Sequence, residues 1–352
     1  MPDLKSQWTE KLREMALRHG FMGVGISRAE HMDQEARLLE DWLSKGYHGE
    51  MSYMANHFEM RVDPRKLVPG AKSVVSLMYN YFPGADPLPL SPDASTSYAQ
   101  PRAAAQQPGT SDKTIVLDES EDLQTNSTSQ GSYKISKYAY GEDYHKVVRR
   151  KLKELVKELK LVVGDFHGRV FVDSAPVMER DWAKRSGQGW IGKNTLLIHP
   201  KKGSYFFLAE IILDIELEYD HPMRDHCGTC TKCIDACPTE AISPEGYILD
   251  GSKCISYLTI ELKSNIPEEF KGKMEDWIFG CDICQDVCPW NRFSKPHQEP
   301  AFEKNEKVKE LKKKDWLELT AEIFDEVFEK SAMKRAGFQG LKRNIEFVQK
   351  KE

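Results

Sequence analysis

The chain reads as α+β: a first layer of mixed helices and strands, then a segment built around cysteines, then a short helical tail. Three observations predict it. Helix-like and strand-like apolar periodicities alternate through residues 6–82 and again through 136–213, the pattern of an α/β or α+β layer. All eight cysteines fall between Cys227 and Cys288. Beyond residue 303 the sequence is charge-dense with helical spacing. A length of 352 residues predicts two or three domains, with boundaries at 1–219, 220–292 and 293–352.

The elements follow in order. Residues 6–19 place Trp8, Leu12, Met15 and Ala16 on one helical face and stop at Gly20. Residues 21–27 (FMGVGIS) read as a short buried strand, 33–45 as an amphipathic helix through Ala36, Leu39 and Leu43, and 73–82 as an apolar strand. Residues 84–132 are rich in Pro, Ser, Thr, Gln and Asp. They carry too little apolar surface to offset ordering entropy, so a disordered insertion in the first domain is expected. Order resumes at 136–145. A strong amphipathic helix follows through Val148, Leu152, Leu155 and Leu159, then strands at 169–173, 195–199 and 205–213 and a helix at 176–186.

Fifty Lys and Arg against 55 Asp and Glu give a net charge of −5, which excludes a chain-wide polycation and confines any nucleic-acid contact to a local patch. No apolar run reaches the roughly 18 residues of a membrane span, and the charged N-terminus does not read as a secretory signal. No membrane association and a cytoplasmic location are expected.

The cysteines carry the chemistry. Their clustering far from the N-terminus reads as metal binding in a reducing compartment, not as a disulfide framework. The first run is Cys227-x2-Cys230-x2-Cys233-x3-Cys237-Pro238, and the second is Cys281-x2-Cys284-x3-Cys288-Pro289 with Cys254 between them. The first is the spacing of bacterial [4Fe–4S] ferredoxins, in which the last cysteine of a run serves the other cluster. The same rule assigns Cys227, Cys230, Cys233 and Cys288 to one cluster and Cys237, Cys254, Cys281 and Cys284 to the second. Two zinc sites are the competing reading.

Other features are ambiguous. Gly187-Gln188-Gly189-Trp190-Ile191-Gly192 spells a dinucleotide fingerprint, but it follows a helix and leads into a strand, so it reads as a tight turn. Asp173 ends an apolar strand before Ser174-Ala175-Pro176. It reads first as a helix N-cap and second as a partly desolvated acid with a raised pKa. His145 and His167 read as packing or surface residues, and Tyr79, Tyr81 and Phe82 as core. The last 20 residues hold six Lys or Arg against two Glu. There Lys334, Arg335, Lys342 and Arg343 read either as phosphate contacts or as a solvated helix end.

The segments RVDPRKLVPGAKSVV, SKYAYGEDYHKVVRRKL, FVDSAPVMERDWAKRSGQGWIGKNTLLIHPKKGSYFFLAEI, CGTCTKCIDACPTEAI, CISYLTIELK, CDICQDVCPWN and SAMKRAGFQGLKRN together resemble the epoxyqueuosine reductase family. The resemblance spans most of residues 1–82 and 133–345. It implies a cobalamin-binding α/β domain like that of reductive dehalogenases, joined to a ferredoxin-like domain with two [4Fe–4S] clusters. It implies reduction of the epoxide of epoxyqueuosine at the tRNA wobble position to queuosine, the last step of queuosine biosynthesis. By motif match it makes Asp173 the catalytic proton donor. It places cobalamin contacts at Arg61, Ser136, Tyr138, Asp173, Lys193, Asn194, Thr195, Leu197, Ser256, Cys281 and Asp282. The expected partners are tRNA carrying epoxyqueuosine and an external low-potential electron donor, with the chain a monomer. The basic tail, packed on the catalytic domain or facing tRNA, would contact phosphates. A small-molecule reductive dehalogenase-like enzyme and a two-cluster electron-transfer protein are the alternatives.

Overall fold

The computed structural model describes residues 3–84 and 132–349; the expected disorder of the 84–132 insertion lies, but for its end residues, outside them. Helix α1 (Leu4–Arg18) leads into strand β1 (Gly23–Arg28), helix α2 (Asp33–Ser44), the short helices α3 (Phe58–Val62) and α4 (Pro64–Leu67), and strand β2 (Ser73–Asn80). After the two-residue strand β3 (Lys134–Ile135) comes α5 (Tyr144–Val163), whose first turn is capped by the Asp143 carboxylate accepting the His145 N–H at 3.0 Å. Strand β4 (Gly168–Phe171), helix α6 (Glu179–Arg185), the hairpin β5 (Trp190–Ile191) and β6 (Leu197–Ile198), and strand β7 (Phe206–Leu213) complete the layer.

Strands β1, β2, β7 and β4 pair in that order, all antiparallel. The alternation along β7 decides what each face meets. Phe207, Ala209, Ile211 and Leu213 join Leu12, Met15 and Ala16 of α1 and Val148, Leu152, Leu155 and Leu159 of α5 in the main core. Ile212 packs on the opposite face with Val74, Phe171 and Trp182 of α6. Burying each of these large side chains contributes on the order of 1.5–3 kcal/mol before entropy is counted.

Several expected boundaries move. The 169–173 strand stops at Phe171, because Asp173 adopts a left-handed φ of 55° that no strand continues through. The 176–186 helix starts only at Glu179, after tight turns in which Ser174 N–H bonds Val172 O and Val177 N–H bonds Ala175 O. The 195–199 strand shrinks to Leu197–Ile198. The glycine-rich stretch is the helix-to-strand turn expected, with Gly187 at φ 71°.

The cysteine-bearing segment contains the short helices α7 (Lys232–Asp235) and α8 (Ile255–Ile260), strand β8 (Trp277–Phe279), which pairs with β3, and helix α9 (Ile283–Asp286). The tail adds α10 (Glu306–Glu310), α11 (Lys313–Leu317), α12 (Ala321–Val327) and α13 (Gly337–Gln349). Its Trp316, Phe324, Phe328, Leu341 and Ile345 share one apolar cluster with Tyr133, Ile135, Ile260 and Phe279. Asn344, fully buried on α13, donates to the carbonyls of Thr259 and Ile278 at 2.7 and 2.9 Å and so ties the tail to α8 and β8.

Candidate active site

The two cysteine runs follow the same backbone path. Thr231 precedes α7 at φ −120°, ψ 5°, and Asp282 precedes α9 at φ −112°, ψ 4°. The two short helices pack against each other. Burial raises the pKa of Cys227, Cys233, Cys254, Cys281, Cys284 and Cys288, and in all but the first neighbouring sulfurs raise it further. Cys288, pushed up to about 11, feels Cys227, Cys233 and Cys230. Cys284 feels Cys254, Cys281, Cys237 and, last, Cys233. Cys281 feels Cys254, its neighbour Asp282 and Cys237. The thiols therefore gather in two sets that approach each other, and such a crowd of sulfurs favours soft metal with loss of the thiol protons. The Trp190 indole N–H donates to Cys227 Sγ and the Ala241 N–H to Cys237 Sγ, both at 3.4 Å.

A single segment ties both runs to the α/β layer. Lys193 Nζ donates to the carbonyls of Gly228 and Cys230 at 2.8 and 3.1 Å, and Asn194 Nδ2 donates to Cys284 O at 3.2 Å. The next residue, Thr195, holds φ 63°, a strained value for a β-branched residue, and its carbonyl accepts from Arg180 at 2.5 Å. The Leu197 side chain is in the core beside Met78, Ala183 and Phe206. Ser256 turns its hydroxyl and N–H toward Cys254.

Asp173 is not the helix cap that its position in sequence suggests. The residue before α6 is Met178, with no side-chain cap, and the Asp173 N–H instead donates to Glu179 Oε1 at 2.5 Å. Its carboxylate, half exposed, meets His145 Nε2 at 3.0 Å, while Nδ1 of the same ring meets Asp143 Oδ1 at 2.7 Å. Tyr144 stacks on both His145 and Phe207, at 4.1 and 4.0 Å between centroids. Burial alone would lower the His145 pKa, but the two flanking carboxylates raise it to about 9. Burial pushes Asp173 up, and the bond to His145, with Tyr144 and Arg335 adding, outweighs it and holds the carboxyl below its ordinary value. The expectation of a raised Asp173 pKa is thus corrected: a charged partner, invisible in the local sequence, wins over desolvation. His145 is likewise no bystander.

The remaining residues form two walls. Tyr138 is the link, since its hydroxyl feels both Asp173 and Asp282. On one side Ser136 Oγ bonds Asp282 Oδ1 at 2.5 Å, the Lys137 N–H bonds Oδ2 at 2.8 Å, and Cys281 adjoins. Gly280 at φ 68° permits the close approach, because a Cβ there would lie 2.5 Å from Ser136 Cβ. Arg61 donates to Tyr53 O at 3.1 Å and keeps a buried Nε that has no partner among the described residues. Arg335, paired with Glu261 at 2.5 Å, lies 5.8 Å over the Tyr53 ring. His145, Tyr144 and Glu179 were not legible as site residues, although Asp143 two positions before His145 was a visible signal for the first of them, and Arg335 was read only as a phosphate contact or a solvated helix end.

The tail cations are largely engaged. Arg335 pairs with Glu261, Lys334 with Asp325 at 3.3 Å, and Arg343 donates to the carbonyls of Leu258, Leu262 and Ser264 at the end of α8. The phosphate-contact reading of Arg343 therefore gives way to helix capping. By contrast Lys146, Arg149, Arg150, Lys153 and Lys157 recur at three- and four-residue intervals on the exposed face of α5 and make no ion pair among the described residues. Glu154 shares the groove that the first four line.

Two family models match the chain: "Epoxyqueuosine reductase QueG, DUF1730" over residues 115–174 and "4Fe-4S double cluster binding domain" over 226–291. The epoxyqueuosine reductase of Cyclobacterium marinum is 54% identical over 341 residues, covering 97% of this chain and 96% of that protein. A crystal structure of epoxyqueuosine reductase with an epoxyqueuosine-modified tRNA-Tyr stem loop aligns at TM-score 0.78 and 30% identity, over 97% of this chain and 80% of that one. So does the Bacillus subtilis epoxyqueuosine reductase with its catalytic aspartate loop swung out of the active site, at TM-score 0.78 and 30% identity, over 97% and 81% of the two chains.

Proposed function

From the premise that the chain belongs to the epoxyqueuosine reductase family, we propose that it reduces the epoxide of epoxyqueuosine at the wobble position of tRNA to the alkene of queuosine. The conversion takes two electrons and two protons and releases water. The observation that carries the reading is the His145 imidazole bonded to an open Asp173 carboxylate, in a chain whose eight thiols gather in two sets.

Two [4Fe–4S] clusters fit the donor set, eight thiols in two groups. The assignment is Cys227, Cys230, Cys233 and Cys288 to one cluster, and Cys237, Cys254, Cys281 and Cys284 to the other. Cobalamin fits these residues on one observation: the buried Arg61 Nε, orphaned among the described residues, is a donor suited to the amide-bearing rim of a corrin. Arg61, Ser136, Tyr138, the Thr195 backbone and Asp282 would hold it, while Lys193, Asn194 and Ser256 act on the cluster side. When bound, the clusters pass single electrons and cobalamin supplies the strongly reducing nucleophile that no side chain offers.

The protein's own part is proton delivery and orientation. His145 holds a proton on Nε2 at neutral pH, and Asp173 Oδ2 accepts it and presents it to the oxygen released from the epoxide. Asp143 keeps the imidazole oriented and charged. The tRNA backbone docks on the cationic face of α5, which begins one residue after His145 and runs for about 16 Å. An external low-potential donor loads the clusters, and the protein works as a monomer in the cytoplasm. We assign catalysis to residues 1–219, electron transfer to 220–292 and support to 293–352. The test is anaerobic reconstitution with iron, sulfide and cobalamin, followed by mass analysis of nucleosides from epoxyqueuosine-containing tRNA. Conversion to queuosine supports the reading, and none from fully loaded protein rejects it.

A further inference from the structure

Next to Asp173 lies an acid pair that the proposed chemistry does not use, one member fully buried and the other, Glu179, partly so. Glu210 sits mid-strand on β7, on the face that α6 covers, and is fully buried. Its register partner on β2 is Ser76 and on β4 is Phe171, neither of them charged. Among the described residues neither carboxylate oxygen of Glu210 has a donor, and Ser76 Oγ is also without a partner. What faces Glu210 is the carboxyl of Glu179, the first residue of α6, in hydrogen-bonding contact. Two carboxylates offer only acceptors to each other. An ionised, unpartnered carboxylate in such a place is far too costly to persist, so one proton between them is the simplest way to satisfy the contact.

The pair is wired to the site. Glu179 Oε1 accepts the Asp173 N–H at 2.5 Å, and that bond holds a residue whose φ of 55° is unfavourable for a non-glycine. The chain of contacts runs from the rigid centre of the sheet, through Glu210 and Glu179, to the backbone of a strained turn.

We propose that Glu179 and Glu210 share one proton and thereby seat Asp173 in its working position, so that loss of that proton unlatches the Asp173 segment. Both are positioning residues. With the proton in place, Glu210 donates to Glu179 and Glu179 accepts from Asp173. Without it, the fully buried Glu210 and the partly buried Glu179 adjoin as two negative charges, and Asp173 adds a third. The segment then relieves the repulsion by swinging outward. Burial, and then the neighbouring carboxylates, push both groups upward, the direction that keeps a proton on the pair at neutral pH. The other groups facing the trio are His145, Tyr144 and Arg335, all on the Asp173 side. The proposal rests on the role given to Asp173 above, but its test does not need turnover.

Amide hydrogen exchange of the 172–178 segment, corrected for intrinsic rate, is measured from pH 6 to 9.5 in reconstituted protein without tRNA. In the wild type the opening constant should be flat around neutral pH and rise on the order of tenfold per pH unit in the alkaline range where the one proton is lost. Glu210→Gln, which donates without titrating, should stay flat to pH 9, and any rise beyond belongs to His145. Glu210→Leu should open the segment about fivefold at pH 7, the weight of one hydrogen bond, and lower kcat while leaving KM for tRNA unchanged. A Glu210→Gln profile that still climbs between pH 8 and 9, or a Glu210→Leu segment as protected as wild type, overturns the proposal. Failure to reduce epoxyqueuosine with the exchange profile intact would reject the function and leave the latch standing.

Discussion

Nε2 of His145 lies 3.0 Å from Oδ2 of Asp173, and Nδ1 of the same ring lies 2.7 Å from Oδ1 of Asp143. An imidazole held between two carboxylates is a stored proton at neutral pH.

That arrangement dictates a pH response. The His145 pKa of about 9 is above its ordinary 6.5, so its contribution to stability is complete below about pH 6.5 and is lost as pH rises through 9. Asp173, held low, contributes above its ordinary pKa and loses that contribution only in acid. We expect kcat/KM to fall on an alkaline limb near pH 9. His145→Gln and Asp173→Asn should each reduce kcat by roughly 10²–10⁴-fold with tRNA binding retained, as read by single-turnover kinetics and filter binding. NMR titration of Asp173→Asn should show the His145 pKa moving down from 9. Wild-type turnover in either variant would remove the pair from the chemistry.

The division of the thiols has its own test. Cys288→Ala and Cys227→Ala should damage the same cluster, and Cys237→Ala and Cys281→Ala the other. Iron analysis should show about half the metal retained in each case, with matching electron paramagnetic resonance spectra within a pair. Cys288→Ala matching Cys281→Ala in place of Cys227→Ala would overturn the partition.

Trp190 donates its indole N–H to Cys227 Sγ at 3.4 Å. A donor to sulfur favours the reduced cluster, so Trp190→Phe should lower that potential by about 20–60 mV, the equivalent of one hydrogen bond. Protein-film voltammetry reads it, and an unchanged potential would show that the indole only packs.

The α5 cations should govern docking. The double substitution of Arg149→Glu and Lys153→Glu is expected to weaken tRNA binding and flatten its salt dependence by roughly two phosphate contacts. The iron content should not change. If the salt slope holds, the tRNA lies elsewhere.

Asn344 is a stability prediction free of the chemistry. Truncation to Ala leaves the buried carbonyls of Thr259 and Ile278 without donors, which should cost about 2–4 kcal/mol. A urea midpoint equal to wild type would show that the tail docks through its apolar face alone.

Much of this was legible in the sequence where the information is local. The cysteine spacing announced two thiol runs, because a short loop must present its ligands at fixed intervals. The apolar stripe Val148, Leu152, Leu155 and Leu159 announced α5, because a helix repeats every 3.6 residues. Proximity across the chain was not legible. The turn at Asp173 that ends β4, the histidine that meets it from the start of α5, and the tail arginine whose charge reaches it from beyond the cysteines all depend on how the layers stack. So does Arg343, whose charge suggested phosphate and whose position made it a cap for α8.

The sequence by itself therefore determined the family, the thiol inventory and the alternation of elements, since each is written in intervals of a few residues. Only the tertiary structure decided that Asp173 is ionised, that His145 carries the proton, and that Glu210 is buried opposite Glu179. Those are questions of which charges approach and how much water is excluded, and both depend on distances in space rather than along the chain.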